Sequence, residues 1–312
     1  MGQLTFEGTE KVRMKSVKHK QKSQIVFHHT SSQDPLKILQ EVEDTYHRDK
    51  FYVMTSGGKD SQTVLDFVNS VGKLEAVVHI KTNIGLSMTT NFVKDFCQSR
   101  GYPIHVIEPK PKFVYVSQAL EEGFPGPSQH GIIMWYLKLK AMREFALSIN
   151  PEKHCLVTGV RKYESHRRMG KYLTPIQNNG RLWFVSPYYF KSDEEVYKEF
   201  LTKNLPISPA YKKGFHTSGE CLCGAFGTRK EKEEIKRVDP HLAEFIEWIE
   251  LGIKKFGTDK ARKFGTWGGT IDMEELDNQQ TLEEWAAAES MICGAECGVG
   301  TMKEWETNPV NV

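Results

Sequence analysis

Between positions 35 and 190 the apolar residues follow two alternating rhythms. Runs at residues 51–55, 76–80, 104–107 and 155–158 are apolar at nearly every position and rich in β-branched and aromatic residues, which predicts strands buried on both sides. The stretches between them, 61–71, 89–100 and 132–148, repeat their apolar residues at helical spacing. Ahead of the first run, Asp34 before Pro35 marks a helix start, and Ile38, Leu39, Val42 and Tyr46 then share one helical face. Strands alternating with helices predict an α/β fold: a parallel sheet with helices on both faces.

Beyond Pro187 the rhythm becomes helical. Ser192-Asp193-Glu194-Glu195 reads as a capping box opening a helix that Asn204-Leu205-Pro206 ends. Residues 228–251 read as helix broken near Asp239-Pro240, with the charged run 229–237 as its solvated face. Glycines from Gly265 to Gly269 break the chain before a last helix expected over 281–291. The first stretch, residues 1–30, is polar and basic, with Lys11, Arg13, Lys15, Lys18, Lys20 and Lys22 close together. It is expected to be an arm that is either solvated or in contact with nucleic acid phosphates. The expected division is therefore 1–30 as a basic arm, 31–190 as the α/β domain, and 191–312 as a smaller, mainly helical region carrying cysteine pairs.

Composition changes this picture little. Of 312 residues, 39% are hydrophobic and 26% charged, as in globular proteins, and no apolar run is long enough to span a bilayer. Residues 1–8 hold no charged leader before an apolar stretch, so a cytoplasmic location is expected. A net charge of +2 gives no whole-molecule attraction to nucleic acid. Six cysteines are too few for a disulfide scaffold, but Cys221/Cys223 and Cys293/Cys297 are closely spaced, which points to metal or thiol chemistry. Cys97 and Cys155 are expected in the core.

The candidate chemistry begins after the first strand, at Ser56-Gly57-Gly58-Lys59-Asp60-Ser61. Strand, glycine turn and helix are what phosphate binding requires. Gly57 and Gly58 allow a close backbone approach, Ser56 and Ser61 offer hydroxyls, and helix-opening amides carry partial positive charge. Lys59 adds a full charge, and Asp60 either holds a magnesium ion or orients the loop. The Walker spacing is absent. The string resembles instead the signature of the adenine-nucleotide alpha-hydrolase superfamily, the PP-loop ATPases. The resemblance implies a loop that cradles the β and γ phosphates while a nucleophile attacks the α phosphorus, and it makes residues 31–190 a PP-loop nucleotide-binding domain.

A second cluster, Gly159 and Arg161 followed by Glu164, Ser165, Arg167 and Arg168, lies past the strand at 155–158, where clustered arginines suit phosphate or sulfate. With Ser56–Ser61, the 204–211 segment and the Cys221/Cys223 pair, it resembles the phosphoadenosine phosphosulfate (PAPS) reductase family over about residues 35–227. The Lys138-Leu139-Lys140 string shares in that resemblance. The implied ligand is ATP or PAPS, with Mg2+.

Many relatives carry a C-x-x-C pair that ligates an iron–sulfur cluster where this chain has Cys221-Leu222-Cys223, and Met134-Trp135-Tyr136 replaces their other pair. Cys293 and Cys297 could complete four thiolates for a [4Fe-4S] cluster or for Zn2+. Alternatively, Glu296-Cys297-Gly298 resembles the tail of sulfonucleotide reductases, which would make Cys297 a nucleophile resolved by a thioredoxin-like donor. Two catalytic readings follow. One is an ATP pyrophosphatase that adenylates a substrate for sulfur transfer through Lys59, Asp60 and Arg161, with a sulfur-carrier protein or a nucleic acid as partner. The other is a PAPS or APS reductase that releases sulfite through Cys297. A non-catalytic nucleotide-binding subunit with a structural metal remains a third.

Overall fold

The computed structural model describes residues 25–110, 114–149, 152–162, 174–215 and 217–269. Glu164, Ser165, Arg167, Arg168, Cys293, Cys297, the cluster of basic residues from Lys11 to Lys22 and the helix expected over 281–291 lie outside them.

The chain builds an α/β fold on a seven-stranded sheet. In chain order the first elements are β1 (Ile25–His28), α1 (Pro35–Tyr46), β2 (Lys50–Met54), α2 (Lys59–Ser70), β3 (Leu74–Ile80), α3 (Ser87–Arg100) and β4 (Ile104–Ile107). Next come α4 (Val114–Glu122), α5 (His130–Met134), a π-helical turn at Trp135–Leu139, α6 (Lys140–Ser148), β5 (His154–Val157), β6 (Ile176–Asn179) and β7 (Leu182–Val185). The helices α7 (Asp193–Thr202), α8 (Pro209–Lys212), α9 (Arg229–Val238), α10 (Pro240–Phe256) and α11 (Asp259–Lys263) follow. Strand order is β1-β6-β7-β5-β2-β3-β4; β7, β5, β2, β3 and β4 run parallel, and β6 is antiparallel to both its neighbours.

Local chemistry explains the boundaries. Asp34 caps α1 by accepting from the Leu36 amide at 2.9 Å, with Pro35 in the first turn, and the helix buries Ile38, Leu39 and Val42. Ser192 and Glu195 form the reciprocal capping box of α7. Thr228 caps α9, and Asp239 both ends that helix and caps α10 ahead of Pro240.

Strand pleating sends alternate side chains to opposite layers. Phe51, Val53, Val77, Cys155, Val157 and Val185 join one core with Leu39 of α1, Leu65 of α2, Val93 of α3 and Phe200 of α7. Tyr52, Val78, Ile80, Leu156 and Phe184 face the other way, onto Met142 and Ala146 of α6. A third core takes residues from both sides of position 190: Val116, Leu137 and Ile84 pack with Phe215, Ile235, Ile246, Ile253 and Trp267.

Four features differ from the sequence reading. Residues 25–28, expected in the basic arm, pair with β6 at the sheet edge. The β6–β7 hairpin turns at Gly180, φ +63°, and carries polar residues such as Asn178 and Asn179 that hid its alternation. Helix α4 lies in a stretch assigned no element, and the helix expected over 132–148 begins at His130 and holds the π turn.

Candidate functional site

In this sheet the connections from β2 lead outward to β3 and β4, whereas β5 lies on the other side of β2. The order reverses between β2 and β5, and the crevice beyond the carboxyl ends of such strands is where α/β sheets bind ligands. The Ser56–Ser61 loop follows β2, and Gly159 and Arg161 follow β5.

Gly57 has φ +87°, a left-handed conformation that favours glycine, and a Cβ there would press against Val93 Cγ2 at 3.2 Å. The loop is pinned from within. Ser61 Oγ donates to Gly58 O at 3.0 Å, Gln62 Nε2 donates to Gly57 O at 2.8 Å, and the Gly57 amide donates to Thr55 Oγ1 at 3.2 Å. Gly58 is the N-cap of α2 and has no side chain to offer the helix's opening amides. Those amides concentrate the positive end of the helix dipole beside the loop.

Buried His79 supports the loop from the neighbouring strand, with Nδ1 2.9 Å from Thr55 O and Nε2 3.0 Å from Thr90 Oγ1. A carbonyl can only accept, so Nδ1 carries the proton, and burial lowers the ring's pKa and keeps it neutral.

Four charged side chains converge at the mouth of the loop. Lys59 Nζ lies 3.1 Å from Asp60 Oδ1 and 2.6 Å from Asp193 Oδ1. Arg161, 2% exposed, places Nε 3.1 Å from Asp60 Oδ1 and Nη2 2.6 Å from Asp193 Oδ1. Partial burial pushes the Asp193 carboxyl up, but the Lys59 hydrogen bond and charge, together with Arg161, outweigh it and hold its pKa below the usual carboxylate value. Asp60 and Asp193 thus each lie within ion-pair distance of both cations.

Gly159 seals this arrangement, because a Cβ on it would stand 2.9 Å from the Ser61 amide nitrogen. Of the residues read from sequence, Ser56, Gly57, Gly58, Lys59, Asp60, Ser61, Gly159 and Arg161 are brought together here. Asp193 was not singled out, since its tetrapeptide reads as a helix start and nothing local shows that α7 begins opposite the loop.

The second candidate centre lies on the third core. The Leu86 amide donates to Gly219 O at 2.8 Å, the Leu222 amide to Ile84 O at 2.6 Å and Thr82 Oγ1 to Glu220 O at 2.7 Å, which stitches the segment after β3 to the segment bearing Cys221 and Cys223. Lys138 Nζ and Glu220 Oε2 pair at 2.9 Å, both side chains 7% exposed. The Cys221 thiol is lowered by its hydrogen bond with Cys223, against the effect of burial, with help from Lys138 and His130. Cys293 and Cys297, the other two members of the expected four-cysteine site, lie outside the described residues, and among the described residues no group of three or more His, Cys, Asp or Glu could hold a metal ion. Cys97 and Cys155 are buried in the core, where burial raises both thiols, Cys97 to about 11.

Residues 50–225, more than half of the chain, match the family described as the phosphoadenosine phosphosulfate reductase domain. The chain belongs to this family. Among solved structures, the PAPS reductase from Candida auris in a phosphate complex is similar to this PAPS reductase domain protein, with a TM-score of 0.45 and 15% identity over 59% of this chain and 86% of that chain. The Candida glabrata FMN adenylyltransferase in complex with ATP matches with a TM-score of 0.44 and 14% identity over 88% of each chain. In its complex with FAD and inorganic pyrophosphate that enzyme matches with a TM-score of 0.40 and 16% identity, over 58% of this chain and 60% of that chain. Comparison with curated proteins gave no match. No helix among the described residues is long and apolar enough to cross a membrane.

Proposed function

We propose that this PAPS reductase family member is an ATP pyrophosphatase that adenylates an acceptor for sulfur transfer. The observation that carries the reading is the convergence of Lys59 and Arg161, from the segments that follow two different strands, on one carboxylate oxygen at 2.6 Å each. Two cations fixed on a single oxygen beside uncapped helix amides form a receptor for a polyphosphate oxygen. In this reading the loop amides, Ser56, Ser61 and Lys59 hold the phosphates that leave, and Arg161 lies against the phosphorus that reacts. The acceptor forms a bond to the α phosphorus as the bond to the bridging oxygen breaks. Negative charge then builds on the departing pyrophosphate, where fixed cations and amides stabilise it without reorganising.

Magnesium would be held by Asp60 only alongside the nucleotide, because Asp60 already lies against Lys59 and Arg161 and too few protein carboxylates converge there to hold the ion alone. When bound it would neutralise phosphate charge. The expected acceptor is a sulfur-carrier protein or a nucleic acid, and the expected location is cytoplasmic. Glu164, Ser165 and Arg168 would extend the phosphate contacts.

The test is anaerobic incubation with Mg-ATP and, separately, with PAPS, measuring pyrophosphate and sulfite. Pyrophosphate from ATP, lost in Lys59→Ala, supports the proposal. Sulfite from PAPS, lost in Cys297→Ser, would replace it with a reductase in which Cys297 is the nucleophile. Tight ATP binding with neither product, any candidate acceptor added, would leave a non-catalytic nucleotide-binding subunit.

A further inference from the structure

Asp193 is the one member of the charged cluster that belongs neither to the glycine loop nor to the strand ends flanking it. Its carboxylate accepts 2.6 Å contacts from both Lys59 and Arg161, yet its side chain is 58% exposed, against 19% for Lys59 and 3% for Arg161. Its backbone is held by others: Ser192 Oγ accepts from the Glu195 amide at 3.2 Å, and Glu195 Oε2 accepts from the Ser192 amide at 2.7 Å. The carboxylate can therefore swing toward solvent without uncapping α7. Lys59 and Arg161 balance Asp60 and Asp193 charge for charge, so the cluster is neutral while Asp193 is in place.

We propose that Asp193 is a built-in competitor for the phosphate position, seated on Lys59 and Arg161 when that position is empty and displaced by the polyphosphate of the substrate. The inference rests on the proposed nucleotide reading of the loop and deepens it. A carboxylate tethered to the protein competes with every anion that must take its place, and it returns as soon as that anion leaves. Asp193 thus lowers the affinity for free pyrophosphate and speeds its departure. It also gives the two cations a second carboxylate beside Asp60, which balances their charge while no anion is bound.

The experiment is direct titration of wild-type protein, Lys59→Ala, Asp193→Asn and Glu194→Gln with inorganic pyrophosphate and, separately, Mg-ATP, at fixed ionic strength. Glu194 is exposed one position further along α7, so its substitution removes the same charge without touching the clamp. Asp193→Asn is expected to bind pyrophosphate at least about tenfold more tightly than wild type, mainly through slower dissociation, with Glu194→Gln unchanged. Equal or weaker binding by Asp193→Asn would overturn the proposal, because Asp193 would then be holding the clamp for the anion. So would equal tightening by Glu194→Gln, which would mark a general charge effect. If wild type binds neither ligand more tightly than Lys59→Ala, the nucleotide reading itself falls; if it does and Asp193→Asn fails to tighten, only this inference falls. Should Asp193→Asn not fold, Asp193→Ser, which keeps a side chain suited to a helix start, is read in the same way.

Discussion

Gly159 lies so close to the backbone of Ser61 that a Cβ on it would stand 2.9 Å from the Ser61 nitrogen and 3.1 Å from the carbonyl carbon of Asp60. One strand's exit is thereby packed directly onto another strand's phosphate loop, and a methyl group cannot enter without moving backbone on one side. Gly159→Ala is expected to push the loop away from Arg161. Its signature is nucleotide affinity lowered at least about tenfold, together with a stability loss of about 1–3 kcal/mol, because the loop that must move is largely buried. Titration with Mg-ATP alongside a thermal melt checks both; unchanged affinity would show that the loop tolerates displacement.

The Lys138–Glu220 pair sets the second prediction. Both side chains are 7% exposed and 2.9 Å apart, so removing one partner leaves the other charged and buried. Lys138→Met is expected to destabilise the fold by about 3–5 kcal/mol, whereas the Lys138→Met, Glu220→Met double variant should recover much of that loss. Urea unfolding of wild type, both single variants and the double variant supplies the cycle. A single-variant cost of a few tenths of a kcal/mol would mean that water reaches the pair.

The sheet's parallel centre and the glycine loop were legible because each is local. Val53, Val77 and Val157 are buried on both sides and read as continuous apolar runs, and the Ser56–Ser61 string carries its own turn chemistry. The missed hairpin has Gln177 buried while Asn178 and Asn179 are partly exposed, so its pattern does not resemble the strands beside it. Asp193 stayed hidden because its role depends on a contact 134 residues away in sequence, with Lys59. The third core was equally illegible, since it joins Leu137 to Ile246 and Trp267 across segments whose own periodicity says nothing about which face they meet.

Trp267 tests that third core. It is 1% exposed, its indole N–H donates to Leu222 O at 3.0 Å, and Gly224 and Gly227 leave room for its ring, each lacking a Cβ that would fall under 3.0 Å from it. Trp267→Ala is expected to cost about 3–5 kcal/mol through lost burial and an emptied ring site. Alanine at Gly227 should be disruptive for the opposite reason, overpacking, by about 1–3 kcal/mol. Chemical denaturation checks both, and a Trp267→Ala protein as stable as wild type would mean that the ring is not wedged into that core.

Glu231 gives a pH-dependent prediction whose sign follows from its surroundings. Burial, with Glu234 nearby, raises its carboxyl to about 7, although a hydrogen bond from the Thr228 backbone opposes the shift. An unfolded chain would release that proton near the ordinary glutamate value of about 4.3. Between those two pH values the folded state holds more protons than the unfolded state, so stability falls as pH rises through the window and levels off above about 7. Glu231→Gln removes the titration while keeping a side chain that can accept the Thr228 hydrogen bond. Its stability advantage should be absent at pH 4, grow through pH 5 to 7 and reach on the order of 3 kcal/mol above that. Urea midpoints for wild type and Glu231→Gln across this range decide it. A difference that stays constant with pH would place the titration elsewhere and leave Glu231 an ordinary ionised residue at the start of α9.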